Sequence, residues 1–162
     1  MRFASRALVR RFEGVLVMVL ALGPAAIVAA PPAQAYTPSS ATVAAYEARV
    51  AYRINVIRAS YGRGRVNSVQ CPDYYAERWA PYLARTWSFY HQSMYTILRG
   101  CGARVAAENL ARGNVSADAI VAAWWASPGH RANILDGRLN RIGVAAVYAR
   151  GQWVVVADFT RV

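Results

Sequence analysis

The stretch Trp124–Leu135, WWASPGHRANIL, constrains this chain more than any other. Ile120, Val121, Trp124 and Trp125 recur at helical spacing, so one helix ends here. Ser127 followed by Pro128 starts another, because serine can cap free N–H groups and proline suits the first helical position. His130, one of two histidines, then falls in the first turn of a short second helix. A helix N-terminus disfavours an imidazolium, so His130 is suited to act neutral, as a ligand or hydrogen-bond partner.

The opening residues read as an address. Arg2, Arg6, Arg10 and Arg11 precede the apolar run Val15–Leu22, and Ala33-Gln34-Ala35 fits a small-x-small cleavage site. Residues 1–35 are therefore expected to be a signal peptide, 36–40 a short lead-in and 41–162 the folded domain. A retained anchor is the alternative, although Gly23 and Pro24 interrupt the run. Either way the chain is expected to be exported, with no membrane span once the signal is cleaved. One domain of ordinary size remains, with enough chain for a core.

The net charge is +11, and every basic residue is Arg. With no Lys, Schiff-base and P-loop lysine chemistry are excluded. The arginines are scattered, which suits attraction to anionic envelope polymers or headgroups and gives no basic stripe for nucleic acid. Cys71 and Cys101 are the two cysteines. In an exported chain an even count favours a disulfide, with two free buried thiols as the alternative.

Val43, Tyr46, Val50, Ile54, Ile57 and Tyr61 form one apolar helical face, ended by Gly62 and Gly64. Asn55 and Arg58 read as ordinary surface residues. Pro72 and Asp73 open a second helix, and Pro81 predicts a kink or break just before it. Residues 86–104 lack a clean period and read as loop with at most a short helical turn. Arg104–Ala107 is β-permissive and leads into Glu108–Ala111, and Ser116 with Asp118 starts a third helix. Ile142–Tyr148 alternates as a strand, and Arg150-Gly151 makes a hairpin turn into Trp153–Thr160. That last strand is apolar on both faces except at Asp158 and Thr160, so it is central and covered on both sides. Helices first and a hairpin last give α+β, with helices on both faces of an antiparallel sheet.

The chemistry-bearing groups are few: His91, His130, Glu108, Ser127 and Asp158. Two histidines and a carboxylate can make a metal site with open positions, or can simply be satisfied core groups. Ser127 has no Gly-x-Ser-x-Gly elbow around it and reads as a helix cap rather than a nucleophile. Trp79, Trp124, Trp125 and Trp153 read as core, with room for one of them to line a groove.

Several pieces, in order, resemble the CAP superfamily (cysteine-rich secretory, antigen 5 and pathogenesis-related-1 proteins), in particular its short bacterial secreted members. They are His91–Met94, Ala107–Ala111, Trp124–Leu135, Arg141–Ala145 and Trp153–Phe159, and they span nearly all of Ala41–Val162. The resemblance implies an α-β-α sandwich with a central antiparallel sheet. It also implies a cleft in which His91 and His130 can hold zinc or another divalent metal beside Glu108. The family's second glutamate falls at Ser127, so one carboxylate is missing. Two functions follow from the resemblance. One is a non-catalytic extracellular module binding a lipid, a small apolar ligand, an envelope component or a protein. The other is a metal-dependent hydrolase, a peptidase or esterase, with Glu108 as base and a metal-bound water as nucleophile. A purely structural cluster of Glu108 and the histidines is the third possibility.

Overall fold

A computed structural model describes residues 36–162, so the expected signal peptide, residues 1–35, lies outside the described residues. Helix α1 (Ser40–Ser60) is capped by the Ser39 hydroxyl, which accepts from the Thr42 N–H. It is followed by β1 (Asn67–Ser68), α2 (Gln70–Thr86), α3 (Met94–Cys101), β2 (Val105–Gly113), α4 (Ala117–Ala126), α5 (Pro128–Leu135), β3 (Arg141–Ala149) and β4 (Gln152–Arg161). The sheet order is β1-β3-β4-β2. β2, β3 and β4 pair antiparallel, as expected, and the two-residue β1 adds a parallel pairing to β3. β4 is central, which explains its apolar character on both faces. Arg150 and Gly151 both adopt positive φ, 50° and 77°, and close the β3–β4 hairpin as a two-residue turn of the primed type.

Alternation along the strands divides the core into two halves. Ile142, Val144, Ala146, Val155, Ala157 and Phe159 face α1, α4 and α5, packing with Val50, Ile54, Ile120, Trp124 and Ile134. Ala145, Val154, Val156 and Leu110 face α2, against Ala76, Ala80 and Leu83. This is the three-layer α-β-α arrangement. Gly143 lets α2 sit directly on the sheet, since a Cβ there would overlap the Asp73 backbone. The Asp73 carboxylate also accepts from the Val144 N–H at 3.2 Å.

Four expectations are corrected. α2 runs through Pro81 without a break. Pro81 and Glu77 are both exposed, so water can serve the Glu77 carbonyl that proline leaves without its donor. Residues 94–101, read as loop, form α3, whose start is set by the Ser93 hydroxyl accepting from the Thr96 N–H. Asn55 and Arg58, read as surface, are buried at 5% and 1% exposure. Asn55 pairs with both backbone groups of Val66, and the Arg58 guanidinium donates to the carbonyls of Gly64, Ile134, Asp136 and Leu139. Burial lowers the Arg58 pKa, with the charge of Asp136 opposing that. Ser127 occupies the N-cap position of α5 but its side chain makes no cap bond. Its N–H still bonds back to Ala123 and Trp124 at the end of α4, and Pro128 at the first helical position has no N–H to leave unpaired.

The Cys71–Cys101 disulfide is formed, with Cα atoms 5.7 Å apart, and joins the first turn of α2 to the end of α3. Trp124 and Trp153 are core residues, whereas Trp79 and Trp125 are half-buried and line grooves. Among the described residues, no helix is long and apolar enough to cross a membrane.

Candidate functional site

β2 is an edge strand, and its middle carries the site. Glu108 lies directly across from Asp158 on β4, on the face toward α2 and α3. The loop between those helices brings His91 and Gln92 over it. His91 Nδ1 is 2.5 Å from Glu108 Oε1, and the Gln92 N–H donates to the same oxygen at 3.3 Å. Gln92 Nε2 donates to Glu108 Oε2 and to Asp158 Oδ2, each at 2.8 Å. The Glu108 side chain is 1% exposed while that of His91 is 58% exposed, so the pair is a buried carboxylate holding a surface imidazole. With the proton on Nδ1, His91 keeps Nε2 free for solvent or a ligand.

Burial raises the Glu108 pKa, and the bonds from Gln92 and His91 hold that rise back. Asp158 is pushed up to about 9 by burial and by the neighbouring Glu108 charge, against its bond from Gln92. It is therefore a neutral carboxylic acid at pH 7, and among the described residues its Oδ1 is buried without a partner. One proton keeps two facing carboxyls from repelling each other.

His130 approaches from the other side of the sheet, on α5. Asn109 Nδ2 donates to the His130 carbonyl at 3.2 Å. Asn133 Nδ2 donates to the Glu108 carbonyl and to Asn109 Oδ1 at 3.1 and 2.9 Å, so α5 is tied along the edge of β2. The His130 pKa is lowered, first by burial and then by His91. The neutral ring expected from its sequence position is thus favoured, with burial as the leading cause.

Of the residues singled out in the sequence, His91 and Glu108 are in direct contact, and His130 is near enough for the His91 charge to act on it. Ser127 joins neither network among the described residues. It lines, with His130, a cavity of about 430 Å³ along α4. The apolar wall is Leu110, Ala111, Ile120 and Trp124, and the space exists because Ala119 and Ala123 are small residues at i, i+4 on the α4 face. Asp158, also among the candidate groups, is joined to Glu108 through Gln92, whereas Gln92, Asn109 and Asn133 were not assigned to the site from sequence. The available signals were amides next to His91 and Glu108 in sequence, Gln92 and Asn109, and one at i+3 from His130, Asn133.

For a divalent metal, these residues offer two imidazoles. Among the described residues, no group of three or more His, Cys, Asp or Glu side chains is placed to hold an ion. Glu108 has both oxygens engaged by His91 and Gln92. A catalytic zinc uses three protein ligands, so this set is one donor short.

The cysteine-rich secretory protein family, CAP, matches residues 51–159. An uncharacterised Bacillus subtilis protein, YkwD, is 39% identical over 54 residues, which are 33% of this chain and 21% of that protein. Among solved structures, an extracellular SCP-domain protein of Bacillus anthracis aligns with TM-score 0.67 and 22% identity, over 79% of this chain and 45% of its own. An outer surface protein of Borrelia burgdorferi aligns with TM-score 0.62 and 18% identity, over 69% of this chain and 89% of its own. A cysteine-rich secretory protein of Staphylococcus aureus aligns with TM-score 0.62 and 14% identity, over 76% and 41%. At these identities the structural likeness carries the fold. The chain spans about a fifth of the curated relative it matches and under half of two of these structures.

Proposed function

Because this chain belongs to the cysteine-rich secretory protein family, we propose that it is a non-catalytic extracellular binding module for a small apolar ligand or lipid chain. The observation that carries the reading is the groove along α4. At about 430 Å³ it falls within the roughly 300–1,000 Å³ range of ligand sites. Its walls are apolar, and Ser127 and His130 stand at the α4–α5 end, where a ligand's polar head can be met by a hydroxyl and a neutral imidazole. A membrane-derived ligand fits an exported, strongly basic protein, whose charge draws it to anionic surfaces.

A second reading, metal-assisted hydrolysis by a peptidase or esterase, draws on one observation. Glu108 holds His91 through Nδ1, the way carboxylates orient imidazoles whose other nitrogen binds a metal. Against it stand the missing third donor, serine at position 127, and a Glu108 carboxylate already engaged and closed to water.

Titration with cis-parinaric acid, whose fluorescence rises in apolar sites, tests the binding reading. Saturable one-to-one uptake that is lost in Ala123→Trp, which fills the groove, is expected. Uptake unchanged in Ala123→Trp overturns it. Tight one-to-one zinc uptake, lost in His91→Ala/His130→Ala and accompanied by ester or peptide turnover that Glu108→Gln abolishes, favours the second reading instead.

A further inference from the structure

A different groove, about 450 Å³, runs between α2 and the start of α3. Its lining combines ring surface with hydrogen-bonding groups: Tyr75, Arg78, Trp79, Tyr82, Gln92 and Thr96. We propose that this groove binds an oligosaccharide carrying carboxylates, as a site separate from the α4 groove.

Ring chemistry is the first argument. Trp79 and Tyr82, one turn apart on α2, stack at 4.9 Å with planes 15° apart, and Tyr90 meets both edge-on. The Trp79 indole N–H is taken by the Tyr90 carbonyl at 3.1 Å, and the Tyr90 hydroxyl donates to the Tyr82 oxygen at 2.9 Å. The cluster is thus internally braced, and Tyr82 keeps its own O–H to donate outward. Such a braced cluster lines the groove with apolar ring surface, which the C–H groups of a sugar can cover, while the sugar hydroxyls need donors and acceptors beside it. Arg78, Gln92 and Thr96 supply them. An acyl chain would leave these polar groups desolvated and unpaired, at a cost.

Rigidity is the second. The walls are fixed at both ends. At one end the Cys71–Cys101 disulfide joins α2 to α3, and the Tyr75 hydroxyl seats over Gly100, where any Cβ would collide with it. At the other end Gln92 is pinned by its two bonds to Glu108 and Asp158, which leaves its amide oxygen as an acceptor. A groove that is already ordered pays little to bind.

Charge is the third. Arg78 is exposed, lies over the Tyr74 ring at 5.3 Å, and makes no ion pair among the described residues. Arg85 and Arg99 likewise sit over Tyr82 and Tyr95 beside the groove. A guanidinium fork held over a ring suits a planar carboxylate.

Calorimetric titration of the protein with tetragalacturonate, and with the uncharged cellotetraose, tests this. Saturable tetragalacturonate binding is expected, with affinity falling about tenfold or more in Trp79→Ala and in the surface variant Arg78→Gln. Cellotetraose should bind more weakly, and Arg78→Gln should change it less than about twofold. Ala123→Trp should leave both untouched, which separates this site from the proposed function. No heat with either oligosaccharide at millimolar concentration overturns the proposal. So does binding that both variants retain, or equal affinity for the two sugars. Capture of phosphatidylglycerol vesicles through Trp79 and Arg78 without oligosaccharide binding overturns it as well.

Discussion

Asp158→Asn is the sharpest test of how the site is held together. In the folded protein the Asp158 carboxyl is pushed up to about 9, whereas an unfolded chain would ionise it near 3.9. The folded state therefore keeps a proton that the unfolded state releases. Stability from this group is full below about pH 4 and is lost as pH rises through the folded value, with a slope of about 1.4 kcal/mol per unit in between. From pH 5.5 to 7.5 the loss is about 2.7 kcal/mol. Asparagine has the shape of the neutral acid, and its Oδ1 can still accept from Gln92 Nε2, which now reaches Asp158 at 2.8 Å. The variant should show none of this slope and, at pH 7, should be more stable than the wild type, with an upper bound of about 4 kcal/mol. Urea unfolding of both proteins at pH 5.5, 6.5, 7.5 and 8.5 measures the difference, in which the other carboxyls largely cancel. A difference that stays constant across this range would falsify the account of Asp158 as a neutral acid beside Glu108.

Gly143→Ala should cost at least about 3 kcal/mol, or prevent folding, because the clash is with Asp73 backbone that cannot swing away; thermal unfolding by circular dichroism reads this. Arg58→Met should cost about 3–5 kcal/mol in the same assay, since the carbonyls of Gly64, Ile134, Asp136 and Leu139 lose one common donor. Cys71→Ser/Cys101→Ser should cost about 3–4 kcal/mol in urea unfolding, the loop-closure value for a separation of 30 residues, and a loss under 1 kcal/mol would show that the packing of α2 on α3 suffices alone.

The elements that carry periodicity were legible in the sequence. β4 reads as central because it is apolar on both faces, and the Arg150-Gly151 turn is local chemistry. The disulfide agrees with the expectation from an even cysteine count and an expected export. Arg58 is buried although charged, because it lies four residues after Ile54 on the buried stripe of α1. The cost of Pro81 depends on whether water reaches the freed carbonyl, which is a property of the packed helix and not of the local sequence. α3 is only eight residues long and needed the Ser93 cap and Gly102 end to be recognised. For the site, residue type marked His91, Glu108 and His130, yet the bonds that place them run through Gln92, Asn109 and Asn133. Those bonds join positions that only sheet register and the α5 docking bring together. Ser127 keeps its place at a helix start but makes no side-chain capping bond.

Amide spectra of the protein titrated with palmitate test the central claim most directly. The account predicts saturable shifts confined to Leu110, Ala111, Ala119, Ile120 and Ala123, with the His130 ring moving as the head group arrives. Shifts that avoid α4 and β2, or no shifts below the concentration at which palmitate forms micelles, would contradict it.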